Sequence, residues 1–197
     1  MHTHQSAFRA GRSCLLGLVV LSVAPGCTGA GAGTVAQGRI EPAYDKGTGR
    51  LTRLSYDANN NGKHDTWAVM DGARLTKLEA DENEDGKIDR WEYYPAGTGA
   101  GGVKQAPERI ERATRLDGQV SRREYFEAGV LVRIEEDTDA NGVTDKWETY
   151  AGGTLSVLSL DTTGSGKPDR RLIYRPDGSL DHIEADPTGS GEFQAIK

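Results

Sequence analysis

Cysteine is almost missing from this chain. There are two, Cys14 and Cys27, and none follows. A fold built from the residues after Cys27 therefore has no internal disulfide, and an exported fold of that kind needs another staple, metal being one. Histidine is scarce as well: beyond residue 4 there are only His64 and His182. Aromatics make up 7% of the residues, too few for a large core. The longest apolar run, "CLLGLVVLSVA" from Cys14 to Ala24, has eleven residues and is too short to span a bilayer. Basic residues are outnumbered, 24 Lys and Arg against 30 Asp and Glu, for a net charge of −6. That balance argues against nucleic acid or an anionic bilayer as partner and suits a chain that holds cations. No G-x-S-x-G, H-E-x-x-H or glycine-rich phosphate loop is present. The expectation is a non-enzyme. What the chain does have is 26 glycines among its 197 residues, so turns and loops take a large share of one ordinary domain.

The first residues read as an export signal. "MHTHQSAFRAGRS" carries Arg9 and Arg12 and no acid, and the apolar run follows. It ends in "APGC", which resembles a bacterial lipobox, where a small residue precedes a cysteine that takes lipid. The resemblance implies a signal over 1–26, a cut after Gly26 and lipidation of Cys27. The chain departs from the family at Ala24, usually Leu, and at Pro25. An ordinary signal cut nearby would leave Cys27 as a spare thiol. "TGAGAGTVAQG" completes a flexible tether over 27–37, and a domain over 38–197 follows. Thr28 is not the Asp that retains many such lipoproteins at the inner membrane, so the resemblance implies an exported, envelope protein anchored at the outer membrane.

The domain repeats. "DANNNGKHDTW" from Asp57, "DENEDGKIDRW" from Asp81, "DTDANGVTDKW" from Asp137, "DTTGSGKPDRR" from Asp161 and "DPTGSGEF" from Asp186 align, at steps of 24, 56, 24 and 25 residues. The long step hides a decayed copy, "ATRLDGQVSRREYF" from Ala113, displaced by a Gly/Pro-rich insertion in "PAGTGAGGVKQAP". A Leu stands six residues before most loops and an apolar residue three before. Segments rich in Trp, Tyr, Val and Thr follow the loops, and turns at Asp71, Ala96, Ala128, Gly152 and Asp177 follow those.

A helix after each loop would carry these glycines at about 1 kcal/mol each, and Pro95 and Pro176 at more. "DG" and "GG" between β-formers signal hairpins. The fold expected is all-β: an antiparallel hairpin-repeat meander, solenoid-like, with calcium-type loops between hairpins. In "RWEYY", Trp91 and Tyr93 should share one face, and Glu92 and Tyr94 the other. The i, i+3 spacing of the Leu pairs resists a flat strand and asks for a bulge, a strong twist or a helical turn. Closure into a barrel or propeller is left open.

The loop at Asp81 follows D-x-N-x-D-G-x-I-D-x-x-E, the calcium loop of an EF-hand. Thrombospondin-type and dockerin repeats carry similar loops outside the EF-hand fold. The resemblance implies Ca2+ held by Asp81, Asn83, Asp85, the Lys87 carbonyl, Asp89 and Glu92. At Asp137 the set is Asp137, Asp139, Asn141, the Val143 carbonyl, Asp145 and Glu148. At Asp57 it is Asp57, Asn59, Asn61 and Asp65, with Ala68 at the twelfth place. Thr163, Ser165 and Leu172 thin the loop at Asp161, and the chain nearly ends after Asp186. Alternatively, Asp, Asn and Gly are simply what turns prefer.

These features add up to an expected lipid-anchored envelope protein with calcium-binding repeats, in a structural role or binding a protein or polysaccharide partner. Trp67, Trp91 and Trp147 recur once per unit, as core residues or as platforms for sugar. A metal-independent hairpin module similar to YD or antitoxin-type repeats is the alternative, and an envelope glycoside hydrolase a third.

Overall fold

The computed structural model describes residues 40–96 and 106–196. The expected export signal and tether, Cys27 and most of the insertion lie outside them. The described residues fall in one compact unit, Ala36–Lys197. They form thirteen strands: β1 (Ile40–Tyr44), β2 (Leu51–Tyr56), β3 (Thr66–Asp71), β4 (Arg74–Ala80), β5 (Arg90–Tyr93), β6 (Arg109–Arg112), β7 (Arg122–Glu127), β8 (Val130–Glu136), β9 (Lys146–Ala151), β10 (Thr154–Leu160), β11 (Arg170–Tyr174), β12 (Leu180–Ala185) and β13 (Gln194–Ile196). All belong to one sheet, in sequence order from β1 to β13, every pair antiparallel. β1 and β13 do not pair with each other, so the meander is open rather than a barrel.

Six loops, five of them opened by an aspartate, join each even strand to the next odd one, and the connections at the opposite end include tight turns. Ala128–Gly129 and Gly152–Gly153 have φ of 49° and 79°, and 57° and 83°. Positive φ at both central residues gives the turn whose twist matches that of the flanking strands. The insertion separates β5 from β6.

The i, i+3 leucines are resolved by bulges. Lys77 faces Val69 while Leu75 faces Met70, which leaves Thr76 as an extra residue. Ala68 and Met70 share a face, so their partners Leu78 and Leu75 share it too. The same shift recurs at Thr52, Val132, Ser156 and Asp181. At three of them the hydroxyl donates across the strand: Thr52 to Ala43 O at 3.1 Å, Thr76 to Val69 O at 3.0 Å, Ser156 to Thr149 O at 2.9 Å.

One face therefore carries a cross-strand row, Leu54, Ala68, Leu78, Glu92, Ile110, Glu124, Ile134, Glu148, Leu158, Leu172 and Ile183. Trp67, Trp91 and Trp147 stand on the other face, opposite Glu79, Glu111, Glu135 or serines. Most of these side chains are half-buried. Among the described residues the fully buried hydrophobics are Ala80, Ala113, Ile134 and Ala185, whereas six aspartates and Ser121 are buried. Carboxylates rank among the residues least often buried, and here they occupy the interior of the loop end.

Candidate metal centre

Each acidic loop has one backbone design. The sixth-place glycine donates its N–H to the first-place carboxylate: Gly62 to Asp57 at 2.8 Å, Gly86 to Asp81 at 2.8 Å, Gly142 to Asp137 at 2.9 Å, Gly166 to Asp161 and Gly191 to Asp186 at 2.6 Å. The ninth-place residue reaches back to the second-place N–H: Ala58 donates to Asp65 at 3.0 Å, Glu82 to Asp89 at 3.1 Å, Thr138 to Asp145 and Thr162 to Asp169 at 3.0 Å. Every fourth-place residue is left-handed, including the non-glycines Asn60, Glu84, Leu116 and Ala140 at φ 62°, 59°, 55° and 70°. For an L-residue with a Cβ that conformation costs about 1–2 kcal/mol.

The loop at Ala113 keeps this design without its acids. Ser121 Oγ takes the place of the ninth carboxylate and accepts the Thr114 N–H at 3.1 Å. Gly118 retains φ +76°, and a Cβ there would come within 3.0 Å of Lys87 Cβ, so close packing by the neighbouring loop also demands glycine. The turn is thus set by backbone and hydrogen bonds. Capacity for a cation is a separate property, carried by whichever oxygens the loop presents.

In the loop at Asp81, Asp89 is 1% exposed and Asp81 6%. One oxygen of each is taken by the bonds just given. The other, Asp81 Oδ1 and Asp89 Oδ1, is buried with no hydrogen-bond partner. A buried acceptor left unpaired costs about 1–3 kcal/mol, more when charged. In the loop at Asp137, the carboxylates of Asp137, Asp139 and Asp145 offer oxygens within 4.8 Å of one another. Burial opposes ionisation of Asp137, but N–H groups of Gly142, Ala140 and Asn141 outweigh it and hold its pKa below the usual carboxylate range. The same competition takes Asp161 down to about 2 and lowers Asp186.

The other proposed ligands flank these. Asn83 accepts the Asp85 N–H at 3.1 Å, Asp85 the Lys87 N–H at 2.9 Å and Asn141 the Val143 N–H at 2.7 Å. In the loop at Asp57, Asn59 accepts the Asn61 N–H at 3.1 Å and Asn61 the Lys63 N–H at 2.9 Å. Asp57 and Asp65 are buried. Hydroxyls of Thr163, Ser165, Thr188 and Ser190 fill the corresponding places in the last two loops.

Glu92 and Glu148 are drawn elsewhere. They stand on strands, where Glu92 accepts from Arg90 at 2.7 Å and Tyr94 at 2.6 Å, and Glu148 from Lys146 at 2.7 Å and Tyr150 at 2.5 Å. Burial and then Glu148 push the Tyr150 hydroxyl up to about 12. The decayed unit keeps the equivalent Glu124, bonded to Arg122 at 2.9 Å, so the twelfth-place acid recurs for the strand's sake. These side chains join a ladder running Glu92, Arg90, Glu82, Arg112, Glu124, Arg122, Glu136, Lys146, Glu148, with successive contacts of 2.7 to 3.9 Å. The spacing that announces it is a base, a Glu two residues on and an aromatic two further, as in Arg90, Glu92 and Tyr94. Such residues share a strand face.

The sheet thus sorts its charges. Strand glutamates pair with Arg or Lys, while among the described residues Asp81, Asp89, Asp137, Asp139 and Asp145 form no ion pair. On the other face Arg53 lies over Trp67 at 5.3 Å and Arg109 over Tyr93 at 4.1 Å. His64 lies 3.9 Å from Glu41, and His182 contacts Asp181 and Glu184. A cleft of about 570 Å³ opens between the last two loops, lined by Lys167, Arg171 and Phe193. Its carboxylates, Asp169 and Asp186, are bonded to loop N–H groups. No known family model matches the chain, and no curated protein matches it either.

Proposed function

We propose that the chain is a calcium-stabilised repeat protein of the bacterial envelope, held there by lipid on Cys27. The observation that carries the metal reading is the pair of buried oxygens on Asp81 and Asp89 that have no hydrogen-bond partner. The three convergent carboxylates at Asp137 support it. Hard oxygen donors on a tight loop suit Ca2+, which takes six to eight oxygens. Asp81, Asn83, Asp85 and Asp89 would hold it in one loop, with the Lys87 carbonyl. Asp137, Asp139, Asn141 and Asp145 would do so in a second, with the Val143 carbonyl, and Asp57, Asn59, Asn61 and Asp65 in a third. With Glu92 and Glu148 engaged on the strands, water completes the shell. Affinity then falls in the weak class of extracellular modules, about 10⁻⁴ to 10⁻³ M. Bound calcium relieves repulsion among the loop acids and fixes the hairpins on either side.

The test is the melting temperature in chelator and in calcium at about 10 to 100 mM, a hundredfold above that affinity range. At a hundred times its dissociation constant, calcium adds about 2.7 kcal/mol per independent site. Asp81→Ala and Asp137→Ala should each remove one increment, and Asp117→Ala none. Equal melting of the wild type in both conditions would overturn the metal reading. The anchor is tested separately: Cys27→Ser should move the protein from the membrane to the soluble fraction, and an unchanged fraction would refute lipidation.

A further inference from the structure

Neighbouring loops are bonded to one another, and the bonds run in one direction. The Asp81 N–H donates to Asp65 O at 2.9 Å, the Ala113 N–H to Asp89 O at 2.7 Å and the Asp137 N–H to Ser121 O at 2.8 Å. Side chains add a second link, from the third place of one loop to the fourth place of the next. Asn83 Nδ2 donates to Leu116 O at 3.1 Å. Asn59 Nδ2 donates to Glu84, and Asn61 Nδ2 meets both Glu84 oxygens, at 2.7 and 2.6 Å.

A carboxylate accepts hydrogen bonds and donates none. Both Asn59 and Asn61 must therefore turn their nitrogens toward Glu84, and their amide oxygens are left facing their own loop. There those oxygens accept the N–H groups of Asn61 and Lys63. These are the third- and fifth-place oxygens of the loop at Asp57. Glu84 itself is a left-handed residue in the middle of the next loop, between Asn83 and Asp85. Whatever orders loop 81–89 orders Glu84, and with it the two amides next door.

Resting on the calcium reading above, we propose that Glu84 couples the two loops, so that calcium in loop 81–89 tightens calcium binding in loop 57–65. By linkage the effect is reciprocal. Glu84 is a positioning residue: it acts through Asn59 and Asn61. The decayed loop 113–121, linked to Asn83 through Leu116 O, insulates this pair from loop 137–145. Charge alone predicts the opposite sign, because two dications on loops about 10 Å apart, two strand spacings, repel.

Amide NMR of the intact chain during calcium titration provides one reporter per loop, the N–H groups of Gly62, Gly86 and Gly142. Each donates to a first-place Asp and will shift when that carboxylate takes a cation. Asp81→Ala with Asp89→Ser converts loop 81–89 to the residues that loop 113–121 uses at those places, so the loop still closes. The exchange removes two carboxylates and one dication and leaves the local charge unchanged. The Gly62 midpoint should rise about fivefold. Asp57→Ala with Asp65→Ser should raise the Gly86 midpoint by the same factor. In Glu84→Gln, which keeps the shape and one acceptor oxygen, both shifts should shrink, and in Glu84→Ala both should vanish. The Gly142 midpoint should stay fixed throughout. A Gly62 midpoint unmoved or lowered by emptying loop 81–89, or a full shift that survives Glu84→Ala, overturns the coupling alone. No response of any of the three glycines in the wild type overturns the calcium reading and the coupling together.

Discussion

Ser121 Oγ accepts the backbone N–H of Thr114 at 3.1 Å, the bond that Asp89 makes to Glu82 in the preceding loop. A hydroxyl suffices to close the turn, and Ser121 is 2% exposed. Ser121→Ala removes the acceptor of the Thr114 N–H and should cost about 1 kcal/mol, the net worth of that bond. The loss, read by urea unfolding, should be the same with and without calcium. A loss that calcium repairs would mean that this loop also takes a cation.

Glu148 separates a strand role from a ligand role. Its oxygens are held by Lys146 and Tyr150; burial raises its pKa, but those bonds outweigh it and leave the pKa lowered. Glu148→Gln should destabilise the sheet by about 1.5–3 kcal/mol, the range for bonds to a charged group. The calcium midpoint reported by Gly142 should not move. A weaker midpoint would return Glu148 to the ligand set.

Thr76 tests the bulges. Thr76→Val loses the bond to Val69 O and should cost about 1 kcal/mol. Deleting Thr76 removes the extra residue, places Leu75 two positions from Leu78 and keeps both on one face, so β4 should pair with β3 in regular register without the bulge. Circular dichroism melts should show both variants keeping a cooperative transition, and a deletion that loses it would mean that the sheet needs the bulge itself.

Stability should depend on pH in two windows. The folded pKa values of Asp137, Asp161 and Asp186 are depressed, Asp161 to about 2. Their contribution is present above the unfolded carboxylate range near pH 4 and is lost as pH falls through the folded values. Asp161→Asn should flatten the fall in melting temperature between about pH 4 and pH 2. His182 behaves oppositely: Asp181 first, then Glu184, raise its pKa above the usual value of 6.5. Its contribution is complete below about pH 6.5 and disappears as pH rises through the folded value. His182→Gln should remove that slope and leave the acid limb intact.

The sequence by itself determined the repeat, the strand class and the loop positions. A period near 24 residues leaves room for two short strands and a loop, and Ala128–Gly129 and Gly152–Gly153 allow the left-handed turn. Even the decayed copy at Ala113 was legible, because Gly118 and Glu124 kept their places. The i, i+3 leucines announced a departure from a flat strand without saying which. The bulge at Thr76 exists only in the pairing of β4 with β3, since register belongs to two strands. Tertiary structure also divided the acids. Asp81 and Glu92 look alike in a loop motif, yet one keeps a buried, unpartnered oxygen inside the turn and the other lies between Arg90 and Tyr94 on a strand face. Glu84 was invisible as a positioning group, because its partners Asn59 and Asn61 lie 25 and 23 residues away in the chain. Only the stacking of one hairpin on the next brings a carboxylate from one loop to the amides of another. A linear motif lists which oxygens a loop owns, and the sheet decides which of them are already taken.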